Sequence, residues 1–367
     1  MALALLLAPH AGRSTVPVAR AQTGLPPNAS IVATGLQNPR GLKFGPDGNL
    51  YVAEGGPGGT DSTVGQCAQV PPPVGPYSGS ATGSGIAMIA ADGTRAVVVE
   101  GLPSSITTPA GVTGVSDLAF IGTTLYGLEG GAGCSHGVPG IPNQVFRVNP
   151  DGTWSTVANL SAFQQQYPTQ VTEPDDFEPD GTWYSLVSKD GVLYAVEPNH
   201  GEIDAITPDG QVGRVADISA SQGHLVPTAM AVGPDGAFYI GNLGHFPVQA
   251  GTSKVLRVTV DGQVSIAVDG LTVVTGVAFD AQGRLYVLEN GSAGTDPMGP
   301  PVLPGTGRVL RINDGGGFDV VAAGLTLPTA MTFGPDGLLY VSDVGYGPPS
   351  NAGGGQILRI DLCGGPC

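Results

Sequence analysis

The chain has 367 residues, of which 60 are glycine and 33 are proline, and its formal net charge at pH 7 is −16. This excess of acid disfavours nucleic acid and anionic membrane surfaces as partners, and leaves cations, neutral metabolites and cationic proteins open. Hydrophobic residues still make up 41% of the chain, so the glycine and proline indicate many turns in a folded protein rather than disorder.

The first residues look like the remainder of an export signal. Residues 2–8 are apolar, and Ala19-Arg20-Ala21 has the small-x-small form of a cleavage site, although no basic stretch comes before them. The alternative is a frayed cytoplasmic N-terminus. We divide the chain into a signal and lead-in over residues 1–29 and one domain over residues 30–367, and expect an extracellular or periplasmic protein. No later run is long and apolar enough to span a membrane.

One sequence unit repeats along the rest of the chain. It is clearest in Pro39–Glu54, where an apolar run, the turn Pro46-Asp47-Gly48 and the run Leu50-Tyr51-Val52 follow one another. Apolar runs on both sides of an Asp-Gly turn predict a β-hairpin. A second hairpin follows each copy after a variable loop, so each copy forms four antiparallel strands. Each copy contains one tyrosine at the same position, and the six tyrosines indicate six copies: Tyr51, Tyr126, Tyr194, Tyr239, Tyr286 and Tyr340.

The last copy ends one strand short. Ser30–Gly35 resembles the outer strands of other copies, such as Val97–Gly101 and Ile266–Gly270. It therefore supplies the missing strand and closes the ring, which hides the open edges of the array. The sequence predicts an all-β fold, a six-bladed β-propeller of four-stranded antiparallel blades whose last blade is closed by the N-terminal strand.

The long loops of this fold lie on one face. Strand order puts the connections between second and third strands on a decorated face, and the tight Asp-Gly turns on an opposite, trimmed face. The segment 161–179 is predicted to be a short helix or an irregular excursion over a face. Because functional residues concentrate on long loops, we expect the site at the decorated mouth of the axial channel.

Four cysteines agree with export. Cys67 and Cys134 fall in loops of adjacent blades, and Cys363 and Cys367 enclose Gly364-Gly365-Pro366. Of the three pairings that four cysteines allow, we favour the disulfides Cys67–Cys134 and Cys363–Cys367. The alternative is a zinc site, although the spacing fits no common four-cysteine pattern.

An acid or amide follows each blade tyrosine by three residues. Topology places these side chains in a ring near the channel mouth: Glu54, Glu129, Glu197, Asn242, Glu289 and Asp343. The five carboxylates could bind a divalent cation, Ca²⁺ or Mg²⁺, or raise one another's pKa for acid–base work. Asn242 is assigned to ligand binding. The alternative is structural, since polar residues at strand ends commonly accept hydrogen bonds from nearby backbone.

Four histidines map to the decorated face. His224 and His245, both from blade four, are the candidate catalytic pair, and His136 and His200 are candidate ligand-binding residues. The alternative is that these histidines have no shared function, because long loops accept any residue type.

Two charged residues also stand in innermost strands, where other copies have small or neutral side chains. Arg40 and Asp117 would either pair with each other or grip a ligand.

The chain resembles the ScyD/ScyE propellers, relatives of NHL-repeat proteins. The likeness is carried by Gly35-Leu36-Gln37-Asn38-Pro39-Arg40-Gly41-Leu42, Gly45–Glu54, Val226-Pro227-Thr228 and Leu285–Glu289. The resemblance implies an exported bacterial propeller, related to proteins in the pathway to the pigment scytonemin, one of which is implicated in joining two indolic–phenolic halves. Tyr194-Ala195-Val196-Glu197-Pro198-Asn199-His200 is similar to the NHL consensus, in which the acid is structural.

Two classes of function remain open from the sequence. The first is a metal-assisted enzyme acting on a small secondary metabolite at the channel mouth. The second is a non-catalytic propeller that binds a small-molecule ligand or a protein, with no cofactor. The chain is also similar to lactonase and sugar-dehydrogenase propellers, but only in the motif Pro-x-Gly-Leu…Pro-Asp-Gly. An activity like that of those propellers is a further alternative. We do not favour a nucleophile-based hydrolase, and the chain has no His-Glu-x-x-His motif of the kind that binds zinc in metallopeptidases.

Overall fold

A computed structural model describes residues 24–107, 111–294, 301–346 and 353–362, and these form six antiparallel sheets arranged as a six-bladed β-propeller. Blades one to three contain β2 (Pro39–Phe44), β3 (Leu50–Glu54), β4 (Ser78–Ile89), β5 (Arg95–Thr107), β6 (Gly111–Thr113), β7 (Val115–Ile121), β8 (Thr124–Glu129), β9 (Gln144–Val148), β10 (Trp154–Asn159), β11 (Ser185–Lys189), β12 (Val192–Glu197), β13 (Glu202–Ile206) and β14 (Val212–Asp217). Blades four to six contain β15 (Pro227–Val232), β16 (Phe238–Asn242), β17 (Ser253–Val258), β18 (Val264–Leu271), β19 (Val274–Phe279), β20 (Leu285–Glu289), β23 (Gly307–Ile312), β24 (Phe318–Leu325), β25 (Ala330–Phe333), β26 (Leu339–Asp343), β27 (Gly355–Ile360) and β1 (Ala29–Leu36).

The N-terminal strand closes the ring as predicted. β1 pairs antiparallel with β27, with Ala29 opposite Ile360 and Leu36 opposite Gly355. The sixth sheet therefore has the order β1-β27-β26-β25 and contains both ends of the described chain.

Blade one departs from the predicted four strands. The β4–β5 hairpin extends beyond the blade, and the short strand β6 pairs with the end of β5 to give a five-stranded sheet. The long connection from β3 to β4 therefore ends at Ser78, where β4 begins. A further two-stranded hairpin, β21 (Ser292–Ala293) and β22 (Val302–Leu303), lies within the long loop of blade five.

The excursion between blades two and three is partly helical, as predicted. It contains helix α1 (Leu160–Gln166), which begins at Asn159, whose side chain accepts a hydrogen bond from the backbone N–H of Ala162. A 3₁₀ turn follows at Pro174–Asp176, and a second short helix, α2 (Ile218–Gln222), comes after blade three. The longest described helix has seven residues, so no described helix is long enough to cross a membrane.

Aromatic pairs pack between neighbouring blades. Rings lie 4.6–5.1 Å apart at five junctions, formed by Phe44–Tyr340, Tyr51–Phe120, Tyr194–Phe238, Tyr239–Phe279 and Tyr286–Phe333. Each such pair contributes on the order of 1 kcal/mol beyond the apolar area that it buries. In five of the six copies, all but that of Tyr126, the repeated tyrosine thus forms an aromatic contact between blades.

A belt of threonines links blades four, five, six and one around the channel. Thr228 Oγ1 donates to the carbonyl of Val274 at 2.6 Å, and Thr275 Oγ1 to that of Pro328 at 2.9 Å. Thr329 Oγ1 then donates to the carbonyl of Pro39 at 2.6 Å, across the ring closure. The start of the innermost strand in blades four, five and six is therefore fixed to the next blade.

The predicted Cys67–Cys134 disulfide is present, with its Cα atoms 6.4 Å apart. It joins the long loops of blades one and two on the decorated face. The other predicted pair, Cys363–Cys367, lies outside the described residues, as do residues 1–23 of the signal and lead-in predicted over residues 1–29.

Candidate functional site

Four of the six ring residues contact the chain entering their blade, seventeen residues earlier in the sequence. The contacts are Gln37 N–H to Glu54 Oε1 at 2.7 Å, Thr272 N–H to Glu289 Oε1 at 2.8 Å, Thr326 N–H to Asp343 Oδ1 at 2.7 Å, and Asn242 Nδ2 to the carbonyl of Leu225 at 2.8 Å. Glu197 makes the equivalent contact with a residue fifteen positions earlier in the chain. Its Oε1 accepts a hydrogen bond from the backbone N–H of Thr182 at 3.0 Å. These side chains fix the crossover from one blade to the next.

The second oxygen of these residues is also occupied. Arg95 Nη2 lies 2.6 Å from Glu54 Oε2, Arg308 Nε donates to Glu289 Oε2, and Gln356 Nε2 donates to Asp343 Oδ2 at 2.9 Å. In the described part of the chain, no three His, Cys, Asp or Glu side chains converge as a metal-binding group. These contacts match the structural alternative, in which the ring acids accept hydrogen bonds from the protein.

Glu129 differs from the other ring acids. Its Oε1 accepts from Gly131 N–H within its own loop, at 2.8 Å, and no arginine or lysine pairs with it among the described residues. Burial raises the pKa of Glu129 to about 8, because the charged form is desolvated. At neutral pH this side chain is therefore largely protonated.

His224 and His245 lie together, as the sequence suggested. Their rings are 5.1 Å apart and meet edge to face. His224 Nε2 lies 2.8 Å from Asp176 Oδ2, and both of these side chains are less than a tenth exposed. His245 is exposed. The two histidines and Asn242 line a groove of about 290 Å³.

The other two histidines are buried away from that groove. His136 is fully buried, with Nε2 3.3 Å from Glu178 Oε2 and its ring against Tyr77. His200 Nδ1 lies 3.4 Å from Glu197 Oε2. Burial lowers the pKa of His200, but the charge and hydrogen bond of Glu197 together with the charges of Glu202 and Glu178 outweigh this effect, so the net pKa is raised. These two residues belong to a buried polar network between blades two and three.

Arg40 and Asp117 do not form the ion pair that was one alternative for them. The Arg40 guanidinium carbon lies 5.0 Å from the centre of the Tyr184 ring, and its buried Nη1 has no hydrogen-bond partner among the described residues. Asp117 instead accepts from Ser185 Oγ at 2.9 Å and from Leu186 N–H at 2.7 Å, which joins blade two to blade three.

A small apolar cavity of about 30 Å³ lies where the long loops meet the channel. It is lined by Leu243, Phe246, Val273, Val302 and Tyr346, with Tyr184, Thr275 and Asn290 beside them. The loop after β16 separates this cavity from the histidine groove, since Leu243 and Phe246 line the cavity while His245 and Pro247 line the groove. No ring carboxylate lines either space, so the predicted acids and histidines do not share one opening.

The sequence interpretation missed Asp176 and Tyr184. Asp176 belongs to the acidic run Glu173-Pro174-Asp175-Asp176, whose charge in an excursion over the loop face was the available signal. Tyr184 stands where blades four to six carry the belt threonines, so it breaks the repeat in the same way as Arg40.

Solved structures similar to this chain are β-propellers. A gluconolactonase from Xanthomonas campestris has a TM-score of 0.53 at 11% identity, over 91% of this chain and 89% of that one. Regucalcin from Agrobacterium tumefaciens, a calcium-binding protein, has a TM-score of 0.52 at 14% identity, over 90% and 92%. A Bacteroides thetaiotaomicron protein of unknown function has a TM-score of 0.56 at 11% identity, over 90% and 75%.

At these identities the likeness shows the fold alone. No family model matches the chain, and no curated protein matches it by sequence.

Proposed function

We propose that this protein is an exported, ScyD/ScyE-like propeller that catalyses a metal-independent acid–base reaction on a small metabolite in the histidine groove. The observation that carries the proposal is the contact of 2.8 Å between His224 Nε2 and Asp176 Oδ2, at the edge of a groove shared with His245. The disulfide Cys67–Cys134 supports export, because such bonds persist in oxidising compartments.

Asp176 fixes the role of His224. A carboxylate accepts the N–H of Nε2, so the neutral ring carries its lone pair on Nδ1. When Nδ1 takes a proton from a substrate, the nearby carboxylate stabilises the resulting imidazolium. His224 is therefore the general base and Asp176 its positioning residue.

His245 supplies the second proton carrier. It is exposed and stands 5.1 Å from His224, ring centre to ring centre, so one bound molecule can contact both rings. An elimination or a ring-opening reaction needs one group that removes a proton and another that returns it. His224 and His245 can remove and return the proton without a bound cation. This agrees with the hydrogen bonds that the ring carboxylates accept from protein donors.

The groove limits the size of the substrate. A volume of about 290 Å³ lies at the lower end of the range for small-molecule sites. Leu225 and Pro247 give it an apolar side, whereas Gln249 and Thr252 give it a polar one. The resemblance to ScyD/ScyE proteins favours a small aromatic secondary metabolite, and the fold shared with a gluconolactonase makes lactones a second class to assay.

A non-catalytic binding function is the second candidate. The groove itself favours it, because Leu225 and Pro247 offer an apolar side, and Gln249 and Thr252 a polar side, to a ligand that need not react.

One experiment separates the two functions. Purified protein is incubated with indolic phenols and with small aromatic and sugar lactones between pH 5 and 9, and products are followed by mass spectrometry. The enzyme proposal expects turnover of at least one class that His224→Gln abolishes. If compounds bind but remain unchanged, and Gln249→Ala in the groove weakens their binding while His224→Gln does not, the protein is a binding propeller.

A further inference from the structure

One arginine of the third strands differs from its counterparts in other blades. In four blades the third strand carries an arginine opposite the blade tyrosine: Arg147, Arg257, Arg311 and Arg359. Arg257 Nε lies 2.7 Å from Asp235 Oδ2, and Arg311 Nη2 lies 2.8 Å from Asp319 Oδ2. Each of these two guanidinium groups is therefore neutralised within its own blade.

Blade two lacks an acid at both of these positions. Asp235 stands four residues before the tyrosine of blade four, and the equivalent residue of blade two is Gly122. Asp319 stands opposite the arginine on the outer strand of blade five, whereas Ser155 stands opposite Arg147. The repeat thus keeps the arginine in blade two and loses both of its acidic partners.

The guanidinium of Arg147 is an uncompensated cation. Among the residues that the structure describes, its side chain has neither an ion pair nor a hydrogen bond, and it is exposed. The Ser155 hydroxyl accepts a hydrogen bond from Asn149 Nδ2 at 2.9 Å instead. All five N–H donors of the guanidinium are therefore available to an anion.

A groove between blades one and two passes beside Arg147. Its volume is about 520 Å³, and no acid is among the residues that line it. The rings of Tyr51 and Phe120, which meet edge to face 5.1 Å apart, line it together with Val98 and Pro150. Tyr51, Phe120 and Val98 are half-buried, so the groove offers apolar and aromatic surface next to the cation. A volume of this size suits a small molecule.

We propose that this groove is a second ligand site, which binds small aromatic monocarboxylates. The carboxylate accepts two parallel hydrogen bonds from the Arg147 guanidinium, and the aromatic ring packs against Tyr51, Phe120 and Val98. A monoanion is favoured over a phosphate dianion, because one guanidinium balances one charge in a chain whose net charge is −16. The groove lies on the trimmed side of the propeller, so the site is independent of the acid–base function proposed for the decorated face.

Calorimetric titration with sodium phenylacetate tests the site. The wild-type protein is expected to bind about one equivalent, and Arg147→Met to bind at least about tenfold more weakly, because a charge-assisted, two-bond contact is lost. Arg257→Met removes the same charge at the equivalent position of blade four and is expected to keep wild-type affinity. Phenylacetamide, which has the same ring and no charge, is expected to bind wild type and Arg147→Met equally weakly.

An added acid gives the converse test, with the arginine in place. Ser155→Asp puts a carboxylate opposite Arg147, as Asp319 does in blade five, and is expected to weaken phenylacetate binding at least about tenfold. Ser265→Asp adds the same charge at the equivalent position of blade four and is expected to leave the affinity unchanged. Thermal melts establish that each variant folds.

Three results would overturn the proposal. The first is an absence of saturable phenylacetate binding below about 10 mM. The second is phenylacetamide binding to wild type as tightly as phenylacetate. The third is wild-type phenylacetate affinity in folded Arg147→Met or in folded Ser155→Asp, which would place the bound anion elsewhere on the protein.

Discussion

The hydroxyl of Tyr184 in blade three donates to the carbonyl oxygen of Thr329 in blade six, at 3.3 Å. These blades face each other across the ring, so the side chain bridges the axial channel. Arg40 of blade one lies over the same ring. The channel is therefore divided into a small apolar cavity on the decorated side and a separate, larger cavity at the trimmed end.

Substitution of Tyr184 separates its hydrogen bond from its packing. Tyr184→Phe loses one hydrogen bond and is expected to cost about 0.5–1.5 kcal/mol of unfolding free energy. Tyr184→Ala also removes the ring beneath Arg40 and is expected to cost about 3–5 kcal/mol. Denaturant titrations measure both values, with Tyr167→Phe, at an exposed ring, as the control. Equal costs for the two variants would show that the ring contributes nothing beyond its hydroxyl.

Removal of the His224 base tests the acid–base pair. Once a substrate is found, His224→Gln is expected to lower kcat about 10²–10⁴-fold, the usual contribution of a general base. Asp176→Asn is expected to lower kcat and to alter its pH profile, since the imidazolium then lacks its stabilising carboxylate. Asp175→Asn, at an exposed carboxylate one residue away in the same 3₁₀ turn, is the matched control and keeps wild-type kcat. Wild-type kcat in both aspartate variants would contradict a role for Asp176.

The ring contacts predict different costs in two blades. Glu289 accepts a hydrogen bond from Arg308, whose guanidinium has donors and no acceptor. In Glu289→Gln an amide N–H therefore faces a guanidinium N–H, and we expect the unfolding free energy to fall by about 1–3 kcal/mol. Asp343 accepts from the amide of Gln356, which can reverse and accept instead, so Asp343→Asn is expected to cost less. Urea titrations of the two variants give the comparison. Similar costs would mean that the arginine contact does not set the stability of its blade.

Chelation tests whether the ring carboxylates hold a cation that stabilises the fold. Because protein donors occupy the oxygens of Glu54, Glu289 and Asp343, we expect EDTA and added calcium to leave the Tm unchanged. Differential scanning fluorimetry at several calcium concentrations measures this. A Tm that rises with added calcium and falls back after chelation would show that the folded protein binds a cation.

The sequence predicted those features of the fold that each copy specifies locally. Every hairpin has its own turn residues and alternating apolar pattern, and Ser30–Gly35 matches the outer strands of complete blades, so the strand number and the ring closure followed. The constant spacing of seventeen between Gln37 and Glu54, Thr272 and Glu289, and Thr326 and Asp343 was also visible. It would have identified the structural use of the ring acids.

The candidate site was less accessible from the sequence because its members come from different copies. Asp176 reaches His224 from an excursion that has no counterpart in other blades, forty-eight residues away along the chain. Tyr184 and Arg40 meet because blades one and three both lack the belt threonine. Such contacts depend on three-dimensional placement, and a repeat pattern specifies only what its copies share.

Burial of Glu129 predicts a pH-dependent loss of stability. Its pKa is about 8 in the folded protein and ordinary in the unfolded chain, so the folded state binds more protons across the interval between these values. Unfolding free energy therefore decreases as pH rises through that interval, by up to about 1.4 kcal/mol per pH unit. Glu129→Gln, which stays neutral, is expected to remove this slope and to be more stable than wild type near pH 8. Urea titrations at pH 5, 6, 7 and 8 test this, with the exposed Glu100→Gln as the control. If Glu129→Gln keeps the wild-type slope, the carboxylate is charged in the folded protein and its burial is compensated by its neighbours.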